Sequence, residues 1–354
     1  MKEKIIAIGF SIIIISVGLI SFILKDNKIS LIERRKLTTT SDVSKDFFDN
    51  IEDYLSDQFP LRNELLSLNS SYERDILGNK EKNDVYVIDD IIYEKNYPLN
   101  EKSVNNFVNK INYIKDKYFK NNKTYYSIIP DKAYFLDEDK YLKLDYNKLI
   151  NSLNNLNGDY INIIDKVKID DYYKTDIHIK QESWLKLVPY LSQKLGFNYY
   201  NINYQKKVFN DFYGASYSKV INGNKDKLTY LVNSYQDSLI VNHLEHGNKP
   251  LYEGNKLGTS DSYDVFLSGP SAFIEISNKN STSNKELVVF RDSFGSSLIP
   301  LLTPYYSKIT LIDLRYISSD LLSNYLNVNN NQEVLFLYST LIINDSNILK
   351  VNMK

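Results

Sequence analysis

The chain contains no cysteine. That excludes a disulfide framework, a thiol nucleophile, cysteine-ligated zinc, an iron–sulfur cluster and a lipidated N-terminal cysteine. Histidine is scarce: three occur in 354 residues, at 178, 243 and 246, so imidazole chemistry has few places to sit. No sign of charge is in excess. Against 43 Lys+Arg stand 44 Asp+Glu, and a net charge of −1 offers no basic field for nucleic acid. No internal repeat is visible, and no cofactor is expected. What is present is a hydrophobic fraction of 43%, enough for a sizeable core and too much for wholesale disorder. The length suits two units or one large domain with appendages. Tyrosine is abundant, at 30 residues. Low-GC codon usage accounts for that, and a carbohydrate-stacking surface is the alternative, since the ring offers a flat face with a polar tip.

The N-terminus carries the plainest physical signal. Ile5 to Leu24 are 20 consecutive uncharged positions, bracketed by Lys2, Lys4 and Lys25. A helix of that length spans ~30 Å, the thickness of a hydrocarbon core. The run ends in Phe22-Ile23-Leu24-Lys25 without a small-x-small cleavage site, so an uncleaved signal anchor is expected rather than a removed signal peptide. Lys25, Lys28, Arg34, Arg35 and Lys36 on the far side argue for a cytoplasmic domain. A long domain translocates largely regardless of such charge, and the reading is a single-pass cell-membrane protein with its domain outside.

The remainder divides by texture. Residues 1–25 form the tail and anchor, 26–80 a helical stalk, and 81–354 an α/β domain. In the stalk, Phe47, Phe48, Ile51, Tyr54 and Leu55 recur at helical spacing, Pro60 interrupts, and a second helix is expected from Arg62 to Leu77. In the domain, 85–88 and 91–93 flank Asp89-Asp90 as a hairpin, and a helix follows over 103–118. Strands are expected at 125–129, 161–164, 287–290, 309–312 and 334–337, with a helix near 147–156. Apolar on both faces and separated by helix-length segments, they describe a parallel sheet covered on both sides, hence three layers. Between 198 and 285 short alternating runs suggest an inserted antiparallel β region. Trp184, Leu187, Val188, Leu191 and Leu195 form one helical stripe ending at Gly196, and Pro189 inside it predicts a kink or a late start.

Two segments hold groups suited to chemistry. Asp176-Ile177-His178 lies on a loop before that helix, where a carboxylate can orient an imidazole and stabilise its cation. Taken alone, a solvated loop histidine is the alternative. Ser293 follows the strand 287–290 at a strand-to-helix turn, at the carboxyl edge where α/β sites form. Free backbone N–H groups and a helix N-terminus beside it would suit an oxyanion. There the alternative is a plain serine N-cap. Together the segments supply nucleophile, base and orienter for acyl transfer. Lys132 and Arg291, at strand ends, are candidate substrate-binding cations, and Arg315 is similar. His243 and His246 have a ligand-like spacing but lie in a polar loop region, and no metal is assigned there.

Several blocks, in order along the chain, resemble the surface-protein family named for an Asp-His-His-Trp motif. It is similar to the alginate O-acetylation proteins of the SGNH-hydrolase-like group. The blocks are Glu33-Arg34-Arg35-Lys36-Leu37, Asp57-Gln58-Phe59-Pro60-Leu61-Arg62, Ile129-Pro130-Asp131-Lys132, Thr175-Asp176-Ile177-His178 and Phe212-Tyr213-Gly214-Ala215-Ser216. Tyr263 to Gly269, Arg291 to Ser297 and Leu311 to Tyr316 complete them. The motif's first His and its Trp are Ile177 and Ile179 here, and no Asn follows Gly269 for an oxyanion hole. The resemblance implies an SGNH-like fold with its active-site order circularly permuted. It implies Ser293 as nucleophile and Asp176 with His178 as the acid–base pair. It also implies an O-acetyltransferase or acetylesterase acting on a cell-wall or exopolysaccharide, with an integral-membrane acyltransferase as partner. A catalytically inactive polysaccharide-binding or scaffolding component is the competing reading.

Overall fold

The computed structural model describes residues 2–79, 81–221 and 224–353. Helix α1 (Lys2–Ile23) contains the apolar run up to its last residue and stands largely exposed, and its stretch Lys4–Ile23 is long and apolar enough to cross a membrane. A short hairpin follows, β1 (Ile29–Ser30) with β2 (Arg35–Lys36). The stalk helices are α2 (Thr40–Lys45), α3 (Phe47–Asp57) and α4 (Arg62–Asp75). The expected break at Asp57 to Pro60 is therefore present. Next come β3 (Glu81–Lys82), β4 (Val85–Ile88) and β5 (Ile91–Glu94). Asp89 and Asp90 turn the β4–β5 hairpin with φ of 48° and 66°, the doubly left-handed turn whose twist matches the strands.

Helix α5 (Glu101–Tyr118) is capped by Asn100, whose side chain accepts from the Ser103 N–H at 3.1 Å. Its Val104, Phe107, Val108, Ile111 and Ile114 form the buried face. Strand β6 (Thr124–Ile129) is buried at every position. Helix α6 (Tyr146–Ser152) then leads to β7 (Asp159–Tyr160), where the strand expected at 161–164 stops short. Ile161 still donates to Tyr126 O at 2.9 Å, but the chain turns into a 3₁₀ segment at Ile164–Lys166, so the ladder has no further partner. Helix α7 (Gln181–Leu195) runs through Pro189 without a late start and ends at Gly196, whose φ of 66° makes it the C-cap.

The remaining elements are β8 (Gln205–Phe212), β9 (Asp226–Val232), β10 (Leu239–His243), β11 (Gly247–Asn248), β12 (Phe273–Asn278), β13 (Glu286–Arg291), α8 (Ile299–Leu302), β14 (Lys308–Ile312), β15 (Gln332–Ser339) and α9 (Thr340–Asn344). The central sheet has eight strands in the order β11-β10-β12-β14-β13-β15-β6-β7. From β14 to β7 it is parallel. This corrects the sequence reading in two ways. The sheet is mixed, and most of the supposed insertion is not separate from it. β12 pairs antiparallel with β14, and β10 with β12, continuing the hydrogen-bonded ladder past what would be an open edge. Only β8 and β9 form a ribbon of their own.

One face of the sheet packs against α7 and α8 through Trp184, Val188, Leu191, Ile299 and Leu302. The other packs against α5, α6 and α9 through Phe107, Ile111, Leu149 and Ile343. Three layers result. The ends of β6, β13, β14 and β15 share one carboxyl edge, and the loops that follow them carry the candidate site.

Candidate active site

The turn after β13 is shaped by Asp292 rather than by Ser293. The Asp292 side chain caps the 3₁₀ segment Ser293–Gly295, accepting from the Phe294 N–H at 2.9 Å. Its second oxygen accepts from the Ser339 N–H at the end of β15, at 2.8 Å. The serine N-cap reading is thereby overturned, and the Ser293 hydroxyl is free for another partner. The helix N-terminus expected beside it is also absent, because α8 begins only at Ile299 and is a single turn.

The second wall is the loop 172–179, closed by a bridge between Tyr172 and Ile179 and by Tyr173 N donating to His178 O at 3.2 Å. Its Asp176 is 1% exposed and fully engaged. One carboxylate oxygen accepts from the His178 backbone N–H at 2.9 Å and faces His178 Nδ1 at 2.5 Å. The other accepts from the Ala215 N–H at 2.7 Å. Burial alone would raise the Asp176 pKa; the neighbouring His178 and these hydrogen bonds outweigh it and hold the carboxyl well below its usual range. A deprotonated acid only accepts, so the proton between them sits on Nδ1, and the neutral imidazole of that tautomer presents Nε2 as an acceptor. Ser293 Oγ lies 2.9 Å from that Nε2, across 115 positions of sequence. The relay runs from a buried acid outward to a half-buried hydroxyl.

Close packing fixes the imidazole. Tyr263 stacks on His178 with ring centroids 3.8 Å apart and planes 5° from parallel, and the Phe294 ring lies at 4.9 Å. The Tyr263 hydroxyl donates to Ser297 Oγ at 3.0 Å, and Ser297 Oγ donates to Ile179 O at 3.2 Å, tying the two walls together. Gly214 is required by space: a Cβ there would sit 2.3 Å from Asp176 Cβ. Asp226 on β9 accepts from the Lys174 N–H, the Thr175 N–H and the Thr175 hydroxyl at 3.0, 2.7 and 2.6 Å. Sequence reasoning assigned no role to Asp226, Gly214, Ala215, Tyr263 or Asp292. Four of these five lie in blocks that carried the resemblance, which was the available signal; Asp226 had none.

The two candidate substrate cations are corrected. Lys132 is 3% exposed and donates to the carbonyls of Tyr173 and Lys174, both at 3.1 Å, beneath the loop. Burial lowers its pKa to about 8. Arg291 is 2% exposed and lies under the serine turn, donating to Asp292 O at 3.2 Å and Ser296 Oγ at 2.9 Å. The Lys132 ammonium is occupied by these carbonyls, and Arg291 spends one guanidinium nitrogen on the turn while its Nε and Nη2 stay buried without a partner. Arg315 pairs with Asp313 at 2.7 Å. His243 closes β10 in a buried position that lowers its pKa to about 4, with its ring 6.4 Å from that of His246. Among the described residues no three His, Cys, Asp or Glu side chains gather as a metal site.

A mixed α/β fold with an acid–imidazole–hydroxyl relay at its carboxyl edge defines the class. No protein-family model and no curated protein matches the chain. Solved structures do. A DHHW family protein from Eubacterium siraeum superposes with a TM-score of 0.61 at 18% identity, over 76% of this chain and 94% of that one. Bacillus cereus PatB1 gives 0.59 at 20% identity, over 75% and 97%, and has also been solved with a sulfonyl adduct, at a TM-score of 0.57. A looser superposition, 0.44 at 11% identity over 73% and 92%, is with the O-acetyltransferase domain of Pseudomonas putida AlgJ. The family resemblance legible in the sequence is thus matched at the level of fold.

Proposed function

We propose that the chain is a membrane-anchored serine O-acyltransferase or esterase working outside the cell on an O-acetylated cell-wall or exopolysaccharide. The observation that carries this reading is the relay, at 2.5 Å from Asp176 to His178 and 2.9 Å from His178 to Ser293. Ser293 Oγ attacks the acyl carbonyl while Nε2 takes its proton. The tetrahedral intermediate collapses, and His178 returns that proton to the departing oxygen. A sugar hydroxyl, or water, then attacks the acyl-serine with His178 again as base. The N–H groups of Phe294, Gly295 and Ser296 are spent within the turn, which leaves the Ser293 N–H to meet the oxyanion. A sulfonyl adduct, as in the PatB1 structure, is what an electrophile leaves on a nucleophilic side chain. An integral-membrane acyltransferase supplying acyl groups across the bilayer is the partner this topology suits.

The test has two arms. Purified protein given an activated acetyl ester should gain one acetyl group on Ser293, detected by intact mass and peptide mapping, and His178→Ala should abolish it. In cells, Ser293→Ala at normal abundance should lower polysaccharide O-acetyl content as far as deletion does. Unchanged acetylation would replace the enzymatic reading with the scaffolding one.

A further inference from the structure

The β1–β2 hairpin belongs by sequence to the stalk, yet its contacts reach both walls of the site. Its base is clamped by the end of α3. Asp57 accepts from Arg35 Nη1 at 3.0 Å and from the Thr38 N–H at 2.9 Å. Gln58 exchanges hydrogen bonds with the Asn27 backbone, at 3.0 and 2.9 Å, and donates to Thr38 O at 2.8 Å. Arg62 pairs with Glu33. The anchor joins the same block, with the Tyr54 hydroxyl donating to Ser21 O at 2.9 Å.

From this base the tip touches the domain at two points. Arg34, held at a φ of 56°, forms an ion pair with Asp261. Asp261 is the residue before the 3₁₀ turn Ser262–Val265, whose Tyr263 stacks on His178. Ile32 packs into the cluster of Val85, Ile92, Tyr213, Tyr217 and Val220. Tyr213 and Tyr217 bracket Gly214 and Ala215, the backbone that holds Asp176. Arg34 closes the turn between β1 and β2 in the left-handed region, a conformation that fixes where its side chain leaves the backbone.

We propose that the hairpin Ile29–Lys36 is a positioning element of the relay: Arg34 acts on His178 through Asp261 and Tyr263, and Ile32 acts on Asp176 through the 213–217 turn. The inference rests on the serine-nucleophile reading. On this account the membrane tether and the site are one mechanical unit, and Arg34 sets alignment rather than bulk stability, consistent with the small worth of a half-exposed ion pair.

The experiment uses the full chain in detergent micelles and phenylmethylsulfonyl fluoride as probe. Ser293 Oγ attacks sulfur, fluoride leaves, and His178 takes the proton. Intact mass gives two readouts: the rate constant of labelling, which reports alignment, and the final stoichiometry, which reports how much protein is competent. Arg34→Ala and Asp261→Asn should each slow labelling roughly 10-fold with full final stoichiometry. Arg34→Lys, and the exchanged pair Arg34→Asp with Asp261→Arg, should recover much of the rate. An unchanged rate constant, with or without reduced stoichiometry, overturns the inference alone. Wild type left unlabelled at Ser293 overturns the serine reading, and this inference with it.

Discussion

The two walls of the site are built by different means. The serine turn is mostly a local structure. Asp292 caps a residue 2 positions away and Arg291 reaches Ser296 5 positions on, while long bonds at this turn, from Ser339 to Asp292 across 47 positions and from Tyr263 to Ser297 across 34, brace it from outside. The Asp176–His178 loop is held from a distance. Its partners are Asp226, 51 and 52 positions away, Ala215, 39 away, and Lys132, 41 and 42 away. A wall made of neighbours tolerates loss of its functional side chain, whereas one made of remote contacts couples alignment to folding. Four experiments bear on that difference.

Ser293→Ala should lower ester turnover on the order of 10⁴-fold or more, as loss of a triad nucleophile does. The melting temperature should barely move, because the cap belongs to Asp292; a clear drop would show that Ser293 shapes its own turn. Gly214→Ala should damage both properties at once. The new methyl group would fall on Asp176, so the loop must shift, at a cost of about 1–3 kcal/mol and roughly 10²-fold in rate. Wild-type values for both would mean the loop is softer than its contacts imply.

Asp226→Ala orphans three donors, two of them on fully buried Thr175. Stability should fall by about 1–3 kcal/mol in denaturant titration, with a smaller decline in turnover. Loss of turnover without loss of stability would assign Asp226 to the chemistry instead.

The smallest effect is a pH dependence. Burial lowers the Lys132 pKa in the folded state to about 8, well below the ordinary lysine value of the unfolded chain, so keeping it charged below pH 8 costs the folded state stability. Between those values the unfolded chain binds more protons, and stability rises with pH through that window. Replacing the residue, as in Lys132→Met, should flatten that rise when wild type and variant are compared; parallel curves would remove the buried-cation account of the loop.

These differences explain what was legible. The Ser293 turn, the Asp176–His178 pair, the apolar N-terminal run and the buried parallel strands were readable because each is written in adjacent residues or in a short period. Lys132 and Arg291 were misread because a charged side chain at a strand end ordinarily faces water, and only the folded chain shows the carbonyls and hydroxyls that engage them. The 198–285 region was misread because alternation marks a strand but does not name its partner, and β10 and β12 found theirs at the edge of the main sheet.

The sequence by itself determined the apolar N-terminal helix, the helices that follow it with their break before Arg62, the strands buried on both faces and the three groups of the relay. Local hydrogen bonding and the periodicity of burial depend on neighbours alone. Only the tertiary structure decided that Ser293 and His178 meet, that Asp292 takes the cap, that Asp226 and Gly214 shape the acid's seat and that the stalk hairpin reaches the site. Those outcomes rest on contacts between residues far apart in sequence, 115 positions for Ser293 and His178 and more for Arg34 and Asp261, whose pairing is set when the sheet edge and the loops above it close around one core.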